Sequence, residues 1–342
     1  MASLRDIAAA CGLSINAVSE ILNRGNEARY RPETCAKVRA AAERLAYVPN
    51  RAAQSMRSRR SRVIGFVTEN ASPTRDSIYH TSLYSFVVGL SHTLIDAGHH
   101  LAVLDLFELT VGSHDPRARM LDELFFVGLV AHQGRLGSPG ELESRVQVPV
   151  VWYDAQNGSS QRHVRRDEFA IGRQLVRELH ELGQRRIAVV LPTMISSVLP
   201  DLSGFHYSIA DRLAGYRAAM AELGLTPCIV PSLQPELVAQ TVRHECLTAL
   251  VTMGTTEFVS LLVAAGLLGF RVGHELSLAA FDIDARRDDG GLPAGGMLYD
   301  RYAAGQEAGA MLLKRLGDAA HDQASVAVGG TFTPGATVGR LA

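Results

Sequence analysis

Residues 3–23 read SLRDIAAACGLSINAVSEILN, and this stretch decides the fold of the first part of the chain. Ser3 is placed to cap a helix whose third residue is Asp6, the reciprocal pairing of a capping box. Leu4, Ile7, Ala8 and Cys11 then recur at helical spacing, Gly12 stops the helix, and Leu13 plugs the turn. Ser14 caps a second helix over residues 15–23. Val18, Ile21 and Leu22 form its apolar face, while Ile15, Asn16, Ser19, Glu20 and Asn23 lie on the other. Helix, glycine turn and a second helix with a polar outer face is the helix-turn-helix pattern, whose second helix enters the major groove. There an asparagine such as Asn16 pairs with adenine, and a carboxylate such as Glu20 accepts from a cytosine amino group. Pro32 opens a third helix, with Val38, Ala41, Ala42 and Leu45 as the stripe that covers the first two. The plainer alternative is a three-helix domain without a ligand.

Charge speaks against that alternative. The formal net charge of −1 conceals 12 basic and 5 acidic residues in positions 1–62, a net of +7, against 22 and 30 in the remainder, a net of −8. A basic end on an acidic body suggests a polyanion partner at that end, with a solvated basic arm as the plainer reading that charge alone does not exclude. Residues 50–57, Asn50-Arg51-Ala52-Ala53-Gln54-Ser55-Met56-Arg57, make two helical turns at most, too few to persist alone. Arginines follow at 59, 60 and 62 and can neutralise phosphates. Met56 is an apolar side chain at a domain edge, the kind of wedge that minor-groove binders drive between base steps. A charged linker is the competing reading.

LRDIAAACGLSINAVSEILN, RPETCAKVRAAAERLAYVPN and the adjoining RAAQSM resemble the headpiece and hinge of the LacI/GalR family of bacterial repressors. The resemblance implies a double-stranded, pseudo-palindromic DNA operator as partner. It implies contacts from Ser14, Ile15, Asn16, Ser19, Glu20 and Asn23 in the major groove. Asn50, Arg51, Ala53 and Met56 would contact DNA through a hinge helix that forms on the operator. Glu20 stands where many members carry Arg or Lys, and NRGNEARYRP is longer than the usual loop.

Beyond residue 62 the pattern changes. Apolar runs at 63–68, 101–106, 128–131, 148–152, 187–191, 247–252 and 276–281 alternate with helical periodicity, as in Leu83, Phe86, Val87, Leu90 and Leu94. Such alternation predicts parallel sheets covered on both faces, and the length accommodates two. Ligands of these sheets bind beyond the carboxyl ends of the strands. Family resemblance continues here through HELGQRRIAVVLP, DRLAGYRAAM and GLLGFRVGHELSLAAFD. It implies an effector-binding arginine at Arg212 and a ligand-contacting aspartate at Asp282, gripping a polar effector from opposite sides. Asp154, after the strand Val150–Tyr153, is a third candidate. Tyr299 stands where many members place a glutamine, and Gly254-Thr255 where many have Asn-Asp. Tyr79, Phe205 and Tyr207 are candidate cleft aromatics. An arginine beside a helix can equally be a surface ion-pair partner, and an aspartate ending a strand can be only a cap. The glycines at 290–291 and 295–296 read as a loop near a crossover.

The expected class is therefore α/β: an all-α helix-turn-helix headpiece over residues 1–49, a hinge over 50–62, and a two-lobed, doubly wound effector-binding and dimerisation domain over 63–342 that resembles periplasmic binding proteins. The expected partners are operator DNA, a small-molecule effector with sugars among the candidates, and a second copy of the chain. No leucine-heptad segment follows the last amphipathic helix (303–316), which favours a dimer over a tetramer. The composition, 47% hydrophobic and 20% charged, suits a core-forming protein, and no run approaches the ~20 apolar residues of a membrane span. Asp6 lies where a secretory signal would be basic, so a cytoplasmic location is expected. Four scattered cysteines without metal spacing suggest free thiols, with no metal and no cofactor. No GxGxxG follows the first strand, and no P-loop, HExxH or GxSxG is present, so an enzyme is not expected. A solute-binding protein of the periplasmic type, which shares the two-lobed layout, remains the competitor. It would need an export signal and would have no use for the basic first 62 residues.

Overall fold

The computed structural model describes residues 2–23, 27–47, 61–69, 79–106, 126–132, 142–144, 146–155, 162–203, 205–284, 294–318 and 325–341. The chain divides into two compact units, Met1–Ser61 and Arg62–Ala342. Asn50, Arg51, Ala53 and Met56, and with them the expected hinge helix, lie outside the described residues.

The first unit contains α1 (Leu4–Cys11), α2 (Ile15–Asn23), a 3-10 turn (Glu27–Arg29) and α3 (Pro32–Arg44). The capping box forms: the Ser3 hydroxyl accepts from the Asp6 amide, and the Asp6 carboxylate accepts from the Ser3 amide at 2.8 Å. Gly12 ends α1 at φ 66°, a left-handed conformation that costs glycine nothing. Ile7, Ala8, Cys11, Val18, Ile21, Cys35, Val38 and Ala41 interlock as the core.

The second unit runs β1 (Val63–Glu69), α4 (Tyr79–Asp96), β2 (His100–Leu106), β3 (Gly128–His132), β4 (Val150–Tyr153), β5 (His163–Arg166) and α5 (Glu168–Glu181). It continues with β6 (Ile187–Val190), α6 (Thr193–Ser196), α7 (Tyr207–Glu222), β7 (Cys228–Val230), α8 (Pro235–His244), β8 (Ala249–Thr252) and α9 (Thr255–Leu267). The last elements are β9 (Ser277–Asp284), β10 (Gly295–Tyr299), α10 (Arg301–Gly317), β11 (Val326–Val328) and β12 (Thr331–Thr333). One sheet has the order β2-β1-β3-β4-β5-β11 and the other β7-β6-β8-β9-β10-β12. The two orders are the same permutation, a doubly wound sheet used twice. Its pairings are parallel except for the antiparallel β10–β12 edge.

Each sheet has an apolar cluster on either face, which explains the near-continuous hydrophobic runs of its strands. Trp152 and Tyr153 show the alternation: the first belongs to one face of its sheet, the second to the other. The chain passes from one lobe to the other after β5, after β10 and between β11 and β12. The helix after each of the first two passages packs on the lobe it enters, α5 against α7 and α10 against α4. In both pairs the backbones touch through glycine. A Cβ on Gly215 would sit 2.1 Å from the Phe169 carbonyl oxygen, and one on Gly305 would sit 2.1 Å from that of Phe86.

Gly295 and Gly296 do not form the expected loop. They are the first residues of β10, and Gly296, at φ 145°, lies so close to β9 that a Cβ would come within 2.2 Å of the Ala280 carbonyl oxygen. The glycines permit close strand approach.

Candidate functional site

The carboxyl ends of the strands meet the two crossovers in a cluster of buried charge. Asp154 follows β4 at φ 53°, a left-handed turn that aspartate tolerates. Arg166 ends β5 and Glu168 begins α5, with Asp167 between them capping the helix through the Ala170 amide at 3.0 Å. The second crossover repeats this grammar: Tyr299 ends β10, Asp300 caps through the Ala303 amide at 2.9 Å, and Arg301 begins α10. Arg212 enters from the second turn of α7, and Asp282 lies near the end of β9.

These side chains form one network. Arg166 donates to Asp154 at 3.0 Å, pairs with Glu168 at 2.9 Å, and reaches Asp282 through its other terminal nitrogen. Arg212 forks onto Glu168, Nε to Oε2 at 2.7 Å and Nη2 to Oε1 at 2.8 Å. It also donates to the Met253 carbonyl at 2.7 Å and to Asp282 at 3.2 Å. Arg301 Nη2 contacts both Asp282 oxygens, at 2.8 and 2.7 Å. Tyr207 donates its hydroxyl to Asp154 at 2.6 Å, and an imidazole nitrogen of His206 lies 3.0 Å from the Asp154 carbonyl oxygen. The Tyr299 ring receives Arg166 and Arg301 at 5.1 and 5.3 Å from its centroid, both cation–π contacts.

Electrostatics follow from this geometry. Burial alone would raise the Asp282 pKa, but Arg166, Arg301 and Arg212 more than offset it and hold the carboxyl well below the usual range. Asp154 behaves likewise: burial opposes ionisation, and Arg166 leads the groups that lower its pKa. Among the described residues His132, at the end of β3, has the Thr68 hydroxyl beside it at 3.5 Å and no such carboxylate pairing. Burial pushes its pKa down to about 4, with the nearby Asp154 acting the other way.

Of the sequence candidates, Asp154, Tyr207, Arg212, Asp282 and Tyr299 come together here. Arg212 and Asp282, expected to grip an effector from opposite sides, lie side by side at 3.2 Å. Both belong to the second lobe, and they are bonded to one another. Nor is Arg212 a surface ion-pair partner, since it is buried. Phe205 packs against the apolar cluster of the second lobe, and Tyr79 opens α4 with its side chain outside the described residues. Arg166, Glu168 and Arg301 escaped the sequence reading. HVRRDE is too polar to register as a strand, although His163, Val164 and Arg166 are all buried. The available signal was the two charged residues on either side of a helix-capping aspartate.

In the first unit Ile15 and Asn16 are exposed on α2, and Ser14 uses its hydroxyl to accept from the Ala17 amide at 3.1 Å. Ser19 departs from the expected exposed face, being only 8% exposed. At about 100° per residue it lies roughly 60° from Leu22, on the shoulder of the apolar stripe. Glu20 is half-buried and accepts from the Tyr30 hydroxyl at 2.7 Å, which raises the Tyr30 pKa. The Asn23 side chain is outside the described residues.

Comparison with known proteins places these features. Residues 176–338 match the family of periplasmic binding protein-like domains. The maltose regulon regulatory protein MalI of Vibrio furnissii is 33% identical over 99 residues, 29% of this chain and 66% of that protein. The HTH-type transcriptional regulator CelR of Thermobifida fusca is 27% identical over 248 residues, 65% of this chain and 62% of that protein. The chain thus matches under two thirds of the length of either relative. Among solved structures, the lac repressor dimer bound to operator and the anti-inducer ONPF has the same fold. Its TM-score is 0.73 at 18% identity, over 98% of both chains. The headpiece motifs, the twice-used doubly wound sheet and these relatives agree with the resemblance to the LacI/GalR regulators.

Proposed function

We propose that the chain is a sequence-specific DNA-binding transcriptional regulator, a repressor, whose operator affinity is set by a small molecule bound among the strand ends of the second unit. One observation carries this reading: a helix-turn-helix unit with an exposed Asn16 shares a chain with a two-lobed unit whose polar groups converge at the lobe crossovers. The relatives named above are regulators, which supports a binding protein rather than an enzyme. Among the described residues no helix is long and apolar enough to cross a membrane. A cytoplasmic location is the one a DNA-binding role requires. Selection from random duplexes tests the reading. A consensus with two inverted half-sites supports it, and no enrichment would favour a solute-binding protein of the periplasmic type.

Asn16 is the proposed reader of bases, because Glu20 is engaged by Tyr30 and Ser14 and Ser19 are capping or covered. Asn16→Ala is expected to cost about 1–3 kcal/mol of operator binding and to relax preference at one position per half-site. The same selection performed on the variant checks this, and an unchanged consensus would remove Asn16 from base readout.

We assign homodimerisation to the second unit. Val259 and Val263 on α9 are 50% and 58% exposed, and Leu267 continues their stripe at 84%. Three apolar residues at spacing four on one exposed face suit a partner surface that a two-fold axis would use twice. Val263→Asp is expected to shift the chain from dimer to monomer in light scattering while leaving its unfolding midpoint nearly unchanged. A dimer of undiminished stability would move the interface elsewhere.

A further inference from the structure

The hydrogen-bonding inventory of the charged cluster is lopsided. Each of its six carboxylate oxygens already takes at least one donor. Asp154 gives Oδ1 to Tyr207 and Oδ2 to Arg166. Glu168 gives Oε2 to Arg212 and shares Oε1 between Arg212 and Arg166. Asp282 is overfilled: its Oδ2 alone takes Arg166, Arg212 and Arg301, three guanidinium groups on an oxygen with two lone pairs. The donors are not saturated. Arg166 Nε is buried without an acceptor among the described residues. The Tyr299 hydroxyl, also buried, has the Tyr153 hydroxyl beside it but no partner of normal hydrogen-bond geometry among the described residues.

From this imbalance we infer that the site takes an anionic ligand, a small polyol carrying a carboxylate or a phosphate monoester, and that Arg166 and Arg301 are the residues that select it. The inference deepens the effector reading above and rests on it. A neutral polyol brings as many donors as acceptors, and each of its hydroxyl hydrogens must share a carboxylate oxygen that already holds a donor, while the unmet groups of the cluster are donors. A buried hydroxyl without an acceptor is penalised. An anion brings acceptors only. It relieves the crowding at Asp282 by drawing off one guanidinium, and it meets a planar fork that suits both carboxylate and phosphate. Tyr299 contributes by stacking: its ring lies against both Arg166 and Arg301 and so limits where their forks can point. Arg301 is the more readily recruited of the two. Its described bonds to Asp282 all come from Nη2, and Asp282 keeps Arg166 and Arg212 if Arg301 turns away.

The test is isothermal titration of the full chain with D-gluconate and D-glucose 6-phosphate, with D-glucose and cellobiose as neutral counterparts. At least one anion is expected to bind about tenfold or more tightly than either neutral sugar, and Arg301→Gln is expected to lose about tenfold of that affinity. The pattern of the two anions tells which group the fork accepts. Arg301→Lys guards against a glutamine variant that fails to fold. It keeps the charge without the fork and is expected to bind the preferred anion several-fold more weakly. Neutral sugars binding as well as the anions, no anion binding at roughly 10 mM, or anion affinity indifferent to Arg301→Lys would each overturn the proposal. Failure of the regulatory reading looks different. A chain that selects no operator yet binds the anion through Arg301 loses the DNA role and keeps this site. A chain released from its operator by a neutral sugar does the reverse.

Discussion

Arg212→Ala is expected to destabilise the folded chain by about 3–5 kcal/mol, the loss typical when one partner of a buried ion pair is removed. Glu168 is fully buried and would lose both arms of the fork from Arg212, keeping only Arg166. The Met253 carbonyl would lose its donor as well. Against a typical stability of about 5–15 kcal/mol, the unfolded fraction would rise steeply. Urea unfolding of the wild type and the variant measures the loss. The variant Arg212→Ala with Glu168→Gln is expected to recover part of it, because the uncompensated charge is gone. A loss below about 1 kcal/mol would mean that water reaches Glu168 and that the pair is an ordinary exposed one. This alters how the residue can be probed. An alanine substitution that silences an effector response here reports unfolding as readily as lost contact, so conservative changes at Arg301 are better instruments.

The second large effect is acid sensitivity centred on His132. Its folded-state pKa is about 4 against an ordinary 6.5, with burial as the leading cause. Between those values the unfolded chain accepts a proton that the folded chain refuses. Stability from His132 is therefore full above pH 6.5 and is lost as pH falls toward 4. A shift of that size corresponds to at most about 3 kcal/mol. His163, whose pKa is also lowered, first by burial and then by Arg165, adds to the slope in the same direction. Asp154 and Asp282, held low in the folded state, contribute stability above the ordinary carboxylate pKa that is lost at still lower pH. Urea midpoints across pH 4–7 for wild type and His132→Asn check the claim. The variant should show a shallower decline, and parallel curves would show that His132 is already protonated or hydrated in the fold.

Much of this fold is legible in the sequence, for identifiable reasons. The strands that read clearly, such as 63–68 and 187–191, are buried on both faces and must be apolar throughout. The headpiece reads clearly because caps and turns are local: Ser3, Asp6 and Gly12 act on neighbours a few positions away. Among the strands that escaped are β5, β7 and β10. The first is built from charged residues that are buried because they pair with partners far along the chain. The second is three residues long, and the third opens on glycines that strand propensity counts against it. The site divides in the same way. Arg212 and Asp282 stood out by family motif, Asp154 by its place after a strand, and Tyr299 by standing where many members carry glutamine. Arg166, Glu168 and Arg301 did not, since their meaning depends on two crossovers separated by 133 positions in sequence and adjacent in space. Ser19 was misplaced for a different reason: a residue on the shoulder of a helix is exposed or covered according to what packs beside it, which periodicity does not encode.

The glycine contacts between α5 and α7, and between α10 and α4, carry a mechanical consequence. Where main chain rests on main chain there is no layer of side chains to shear, slide or change rotamer. Each crossover helix is thereby welded to its lobe along its first turns, and the compliance of the second unit is left to the short connections that precede those helices. A ligand that pulls on Arg166 or Arg301 pulls on the roots of those helices. The lobes would then answer as two stiff levers turning about shared pivots, and a displacement of a fraction of an ångström at the guanidinium would be magnified in proportion to the length of the arm.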